Sequence, residues 1–196
     1  RMFLETVWHT LEDAGCTKTA LTDRKVGVFV GAMYGHYQLY GVEARLKGNP
    51  VSLSSNFSTI ANRVSYFFNW HGPSMAVDSM CSSSLTTIHL ACESLKRGEC
   101  ELAVAGGVNA TVHPEKDLIL SQSGFSAGDG RCRAFGEGGD GYVPAEGVGA
   151  VLLKPLSRAV ADGDRVHAVI RASALNHGGK TNGYTVPNSR SQAEVI

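Results

Sequence analysis

Met75-Ala76-Val77-Asp78-Ser79-Met80-Cys81-Ser82-Ser83-Ser84-Leu85 decides how the rest of the chain is read. A short apolar run, residues 75–77, leads in, and Leu85, Ile88, Cys92 and Leu95 follow at helical spacing. The pattern predicts a strand running into a cysteine, with a helix starting there. Three small hydroxyl residues come next and leave the sulfur uncrowded. A cysteine so placed sits at the positive end of a helix dipole, where the dipole and free backbone N–H groups favour thiolate over thiol. The same N–H groups can receive the oxyanion that forms when the sulfur attacks a carbonyl. The functional reading is a nucleophile that carries an acyl group as a thioester. The competing reading is a buried cysteine that only packs, and the residues by themselves leave both open.

Outward from this stretch, the flanking segments alternate between helical and strand patterns. Residues 2–14 read as a helix with Leu4, Val7, Trp8 and Leu11 on one face, ended by Gly15. Val26-Gly27-Val28-Phe29-Val30 reads as a strand buried on both faces that stops at Gly31. Residues 32–40, rich in tyrosine and glycine, read as a surface loop. A second helix is expected over 54–70, with Phe57, Ile60, Val64 and Phe67 on one face and Ser54 or Ser55 as cap. His71-Gly72-Pro73 breaks it. Lys96 and Arg97 suit the last turn of the helix after Cys81, and Gly98 ends it.

Leu102-Ala103-Val104-Ala105 reads as another buried strand closed by Gly106-Gly107, followed by an irregular stretch to about Phe135. A strand over 147–153, a short helix capped by Ser157 and ending near Gly163, and a last strand over 166–175 complete the pattern. Asn176-His177-Gly178-Gly179 turns the chain out again. Apolar strands alternating with helices predict one layered α/β domain or part of one.

Composition narrows the function classes. The 196 residues carry 18 basic and 18 acidic side chains, a formal net charge of zero with no long run of either sign. This argues against nucleic acid or an anionic membrane as the main partner. Five cysteines, Cys16, Cys81, Cys92, Cys100 and Cys132, form no Cys-x-x-Cys pair. Neither a disulfide framework nor a zinc site is expected, and a reducing, cytoplasmic setting fits best. No signal peptide opens the chain, and it starts without methionine at Arg1, so either end is read as a possible cut.

Gly136-Glu137-Gly138-Gly139-Asp140-Gly141 matches the spacing G-x-G-x-x-G. A dinucleotide site needs a strand before it and a helix after it. Here a strand-like run follows, so cofactor binding is rejected and the glycines are read as letting a tight loop pass close to backbone. Glu137, Asp140 and Glu146 read as solvated charges rather than metal ligands. None of the seven histidines has metal spacing, and His89 lies eight residues past Cys81, about two turns along the helix. His113 and His177 are each read as surface or structural.

The segment Val77-Asp78-Ser79-Met80-Cys81-Ser82-Ser83-Ser84-Leu85 closely resembles the active-site segment of β-ketoacyl synthases, above all the ketosynthase domains of modular polyketide synthases. That family usually has Thr-Ala where Ser79-Met80 stands. Phe3-Leu4-Glu5, Leu11-Glu12-Asp13-Ala14-Gly15, Ala61-Asn62-Arg63-Val64-Ser65-Tyr66-Phe67 and Asp129-Gly130-Arg131-Cys132-Arg133-Ala134-Phe135 are similar to other family segments. Ala145-Glu146-Gly147 stands where the family often has Gly-Glu-Gly, and Asn176-His177-Gly178-Gly179-Lys180-Thr181-Asn182-Gly183-Tyr184 looks like the polyketide version of its segment.

The resemblance implies a thiolase-like layered α/β/α/β/α fold, of which residues 1–196 cover mainly the amino-terminal half as a partial ketosynthase domain. It implies Cys81 as catalytic nucleophile, with its backbone N–H as oxyanion donor. It also implies condensation of the Cys81 acyl thioester with a decarboxylating malonyl unit, in polyketide biosynthesis. Substrates would ride on the phosphopantetheine of acyl carrier proteins, with no cofactor bound by this chain. A homodimer, the carrier protein and other polyketide synthase domains are the implied partners. The family's two catalytic histidines lie in His-Gly-Thr-Gly-Thr and a later Gly-His, and neither motif follows Cys81 here. Residues 1–196 alone are therefore not expected to condense. The alternative is a non-elongating ketosynthase that only holds or passes acyl chains. An unrelated cysteine hydrolase is the third reading.

Overall fold

The computed structural model describes residues 1–53 and 55–196. Twelve elements follow the chain: α1 Met2–Asp13, α2 Lys18–Leu21, β1 Val26–Gly31, α3 Tyr37–Leu46, α4 Ser58–Phe68, β2 Ser74–Val77, α5 Ser83–Lys96, β3 Leu102–Asn109, α6 Glu115–Gln122, β4 Gly147–Leu153, α7 Leu156–Asp162 and α8 Ser189–Val195. The strands form one sheet in the order β2-β1-β3-β4. The first three are parallel, with Val30 opposite both Ala76 and Gly106, while β4 runs antiparallel to β3 with Gly149 opposite Gly107.

Side chains of the central strands alternate between two cores, as the pleat requires. Val26, Val28 and Val30 of β1 and Leu102 and Val104 of β3 point to one face, where Phe3, Val7 and Leu11 of α1 and Val64 and Phe68 of α4 cover them. Phe29, Ala103 and Ala105 point to the other face, under Ala91 of α5. Phe68 and Trp70 stack at 4.6 Å between ring centroids. Full burial of an aromatic such as Phe68 contributes about 1.5–3 kcal/mol. The result is a helix layer, a sheet and a helix layer.

Several boundaries differ from the sequence expectation. Residues 32–40 are not all loop, because α3 begins at Tyr37 and packs its buried Gly41 against Leu53. The stretch before Phe135 is not wholly irregular either, since Pro114 opens α6, which buries Lys116 and Leu120 at i, i+4. Helix α4 is shorter than 54–70: Phe57 is its cap and contributes no side-chain bond, and Asn69 ends it in the left-handed conformation. Ser54 lies outside the described residues, and the Ser55 hydroxyl donates instead to the Gly35 carbonyl at 2.5 Å. The α4 face is also rotated, onto Ala61, Val64 and Phe68. In α1, Phe3 rather than Trp8 belongs to the buried face. Pro155, not Ser157, stands at the α7 cap, with Gly163 left-handed at its end.

Residues 166–175 form no strand. A strand exists only where a neighbour completes its ladder, and no described residues pair with this segment. Its Val166, Val169, Ile170 and Leu175 are exposed.

Candidate active site

Cys81 lies in the connection between β2 and α5. The helix starts two residues later than the cysteine, with Ser82 as its cap, so Cys81 stands just outside the first turn. A tight turn places it there. Met80 has φ +59°, an uncommon conformation for a side chain of this size. Short hydrogen bonds hold the strained residue. The Asp78 carboxylate accepts the Met80 N–H at 2.9 Å, and the Met80 carbonyl accepts from the Ser83 N–H at 3.1 Å and its hydroxyl at 2.5 Å. The Ser83 oxygen in turn accepts the Ser79 N–H at 3.0 Å. Ser79 shares further hydroxyl bonds with Ser82 at 3.1 Å and Thr86 at 2.9 Å. The serines thus build the turn as well as leaving the sulfur open.

The helix behind the turn packs on the sheet through small side chains. Its buried face is Ser83, Thr87, Ala91 and Ser94, not the Leu85, Ile88, Cys92 and Leu95 face expected from apolar spacing. Leu85 is 70% exposed. The cause is close approach. A Cβ at Gly31 would lie 2.8 Å from the Ser83 and Ser84 backbone, and one at Gly107 3.0 Å from the Ser84 Cβ. Thr87, fully buried, donates to the Ser84 carbonyl at 2.7 Å and the Gly106 carbonyl at 3.0 Å. Glycine ends of β1 and β3 let the helix start sit directly on the sheet.

Cys81 faces a cleft of about 590 Å³. Tyr34, Ser84, Ile88, Lys116, Leu120 and Tyr142 are among its lining residues. Cys81 is exposed. Burial, and then the Cys81 and Asp78 charges, push the Tyr34 phenol above its ordinary value. The Tyr142 phenol is raised in the same way, by burial first and then by Tyr34 and Cys81. The other cysteines differ. Burial raises Cys16, Cys92 and Cys100, and the exposed Cys132 has its sulfur bonded to the Val143 N–H at 3.0 Å.

Among the described residues no histidine lines this cleft. His89 bonds Ser173 through Nδ1 at 2.9 Å, and His113 bonds Glu43 through Nε2 at 3.0 Å and meets the Tyr40 ring edge-on. His177 accepts the Gly179 N–H at 2.9 Å in its own turn. The glycine-rich loop 136–141 runs between α6 and β4, and a Cβ at Gly141 would lie 2.5 Å from the Ser126 backbone. Asp140 accepts the Gly128 N–H at 3.1 Å, while Glu146 accepts the Thr111 N–H at 2.5 Å. Among the described residues no group of three His, Cys, Asp or Glu gathers for a metal. No helix among them is long and apolar enough to cross a membrane. Tyr34, Lys116 and Tyr142 escaped the sequence reading. Lys116 carried the only usable signal, a lysine four residues before Leu120 on a short helix.

A cysteine turned out of a mixed sheet at a helix start, on a sheet covered on both faces, fits the thiolase-like class of α/β fold. Residues 1–159 match the family model described as "Beta-ketoacyl synthase, N-terminal domain". The chain belongs to the β-ketoacyl synthase family, and its relatives place it among the ketosynthase domains of polyketide synthases. It is 59% identical over 203 residues to polyketide synthase PksL of Bacillus subtilis (strain 168). It is 61% identical over 196 residues to polyketide synthase ThaG of Burkholderia thailandensis. All of this chain is covered in both cases, but only 4% of either relative. Among solved structures, the oxazolomycin ketosynthase domain OzmH KS7 of Streptomyces albus JA3453 superposes with a TM-score of 0.96 at 62% identity. The ketosynthase from module 6 of the bacillaene synthase of Bacillus subtilis 168 gives 0.89 at 39% identity. Both cover the whole chain, which spans 35% and 33% of their lengths.

Proposed function

We propose that residues 1–196 are the amino-terminal part of a condensing ketosynthase domain in which Cys81 is the acyl-carrying nucleophile. The observation that carries this is the placement of Cys81: an exposed cysteine beside a strained turn, at a helix start, facing a cleft. The thiolate attacks the carbonyl carbon of an acyl thioester on the phosphopantetheine of a carrier protein. The oxyanion accepts the Cys81 N–H. The new C–S bond forms, the old one breaks, and the pantetheine thiolate leaves and takes up a proton. A malonyl thioester on a second carrier then loses carbon dioxide. Its enolate carbon attacks the acyl-cysteine carbonyl, the C–C bond forms, and the Cys81 thiolate is released.

The decarboxylating step needs positive or donor groups on the malonyl thioester oxygen. The resemblance assigns these to two histidines in motifs outside this chain. A ketosynthase without working histidines would stop at acyl-Cys81 and act as a gate. The test uses the full-length gene product, an acyl thioester and malonyl carrier protein, read by mass spectrometry. We expect acyl-Cys81 followed by β-ketoacyl product. Acyl-Cys81 with no product replaces condensation by the gate reading. No acylation of Cys81 at all overturns the acyl-transfer reading.

The same reading makes the intact domain a homodimer in a reducing cytoplasm. β2 is an edge strand whose Met75 is 39% exposed, so an unpaired row of backbone groups is open to a partner copy. An obligate interface of this kind buries on the order of 2,000 Å² or more. Sedimentation of the full-length product is expected to show a dimer at micromolar concentration. A monomer there rules the pairing out.

A further inference from the structure

Lys116 is the only charged side chain among the described residues that is buried, at 3% exposure. Its Nζ donates to Asn109 Oδ1 at 2.9 Å and to Thr111 Oγ1 at 3.1 Å, both neutral oxygens. Among the described residues these are the two hydrogen bonds of Nζ, and Lys116 makes no ion pair with a carboxylate there. The acid closest along this network, Glu146, is engaged with the Thr111 N–H. The Tyr34 ring lies over the ammonium, 5.2 Å from Nζ to centroid. Lys116 and Tyr34 line the same cleft as Cys81, together with the apolar Ala32, Leu120 and Pro144 and the polar Ser84 and Tyr142.

An ammonium is expensive to bury unless its donors are met, and a buried donor without a partner calls for an oxygen. Resting on the acyl-transfer reading of Cys81, we propose that Lys116 makes this cleft selective for acyl chains that carry a hydrogen-bond-accepting oxygen. The third N–H of the ammonium donates to that hydroxyl or keto oxygen, while Asn109 and Thr111 hold the other two. A fully aliphatic chain leaves the donor unpaired in a cleft from which it has displaced water, and the cost falls on the wrong substrate. The malonyl carboxylate is a second source of oxygen. An ammonium bound to it stabilises the ground state and resists loss of carbon dioxide, so the acyl oxygen is the occupant.

The full-length gene product is loaded with hexanoyl, 3-hydroxyhexanoyl and 5-hydroxyhexanoyl thioesters of N-acetylcysteamine, and acyl-Cys81 is timed by mass spectrometry. One hydroxylated chain is expected to load roughly tenfold faster than hexanoyl, the scale set by a matched polar contact. Lys116→Met, similar in length and uncharged, loses that preference, and Lys116→Arg, which keeps donors, retains part of it. Equal loading of all three chains by the unaltered protein overturns the proposal, even if Lys116→Met fails to fold. So does a preference that survives in Lys116→Met, or a Lys116→Met defect confined to the malonyl concentration needed. If no chain loads Cys81, the acyl-transfer reading fails first, and this inference with it.

Discussion

Cys81→Ala is expected to abolish acyl loading and product formation in the full-length gene product, a loss of roughly 10³-fold or more. Among the described residues of the cleft wall there is no other thiol. Ser83 and Ser84 are the neighbours, and the Ser83 hydroxyl is committed to the Met80 carbonyl. Stability should change by no more than about 0.5 kcal/mol, because Cys81 is exposed and belongs to neither core cluster. Loading is measured by mass spectrometry and stability by thermal unfolding. In the unaltered protein, limiting iodoacetamide should mark Cys81 before the other four cysteines. Cys16, Cys92 and Cys100 are disfavoured by burial, which raises their thiols and limits access. Cys132 is the competitor in exposure, so its labelling ahead of Cys81 would count against the assignment.

Gly31→Ala is expected to slow acyl loading about 100-fold while leaving the protein folded. The added methyl meets backbone, the Ser83 carbonyl carbon and the Ser84 nitrogen at 2.8 Å, and no rotamer change can relieve that. The start of α5 must lift off the sheet. Cys81 and the turn at Met80 are tied to that helix start by the Ser83 hydroxyl, so they move with it. A displacement on the order of 1 Å misaligns sulfur and N–H relative to the bound carbonyl. Overpacking of this kind costs about 1–3 kcal/mol of stability. Gly107→Ala is the milder comparison, since its contact is the Ser84 Cβ at 3.0 Å. Rapid-quench loading rates with unfolding curves separate the effects. Normal loading by Gly31→Ala would mean that α5 yields without moving the sulfur.

The sequence by itself determined the apolar strands, the helix after Cys81 and the family. Continuous runs such as Val26-Gly27-Val28-Phe29-Val30 admit little but a doubly covered strand, and local breakers such as Gly15, Gly98 and Gly163 take the left-handed conformation at helix ends. The place of Cys81 between β2 and α5 was legible because strand, small residues and helix are all local signals. Tertiary structure alone decided which face of α5 is buried. Apolar spacing pointed to Leu85 and Ile88, but a helix pressed onto glycine strand ends buries Ser83, Thr87, Ala91 and Ser94 most deeply, with Ile88 and Leu95 only partly buried beside them. It also decided residues 166–175, where β-forming residues meet no partner strand, because pairing depends on distant backbone that no local pattern encodes. Lys116 is the clearest case. On sequence it is one lysine among 18 basic residues, and only the fold brings its ammonium to Asn109 at the end of β3 and to the Cys81 cleft.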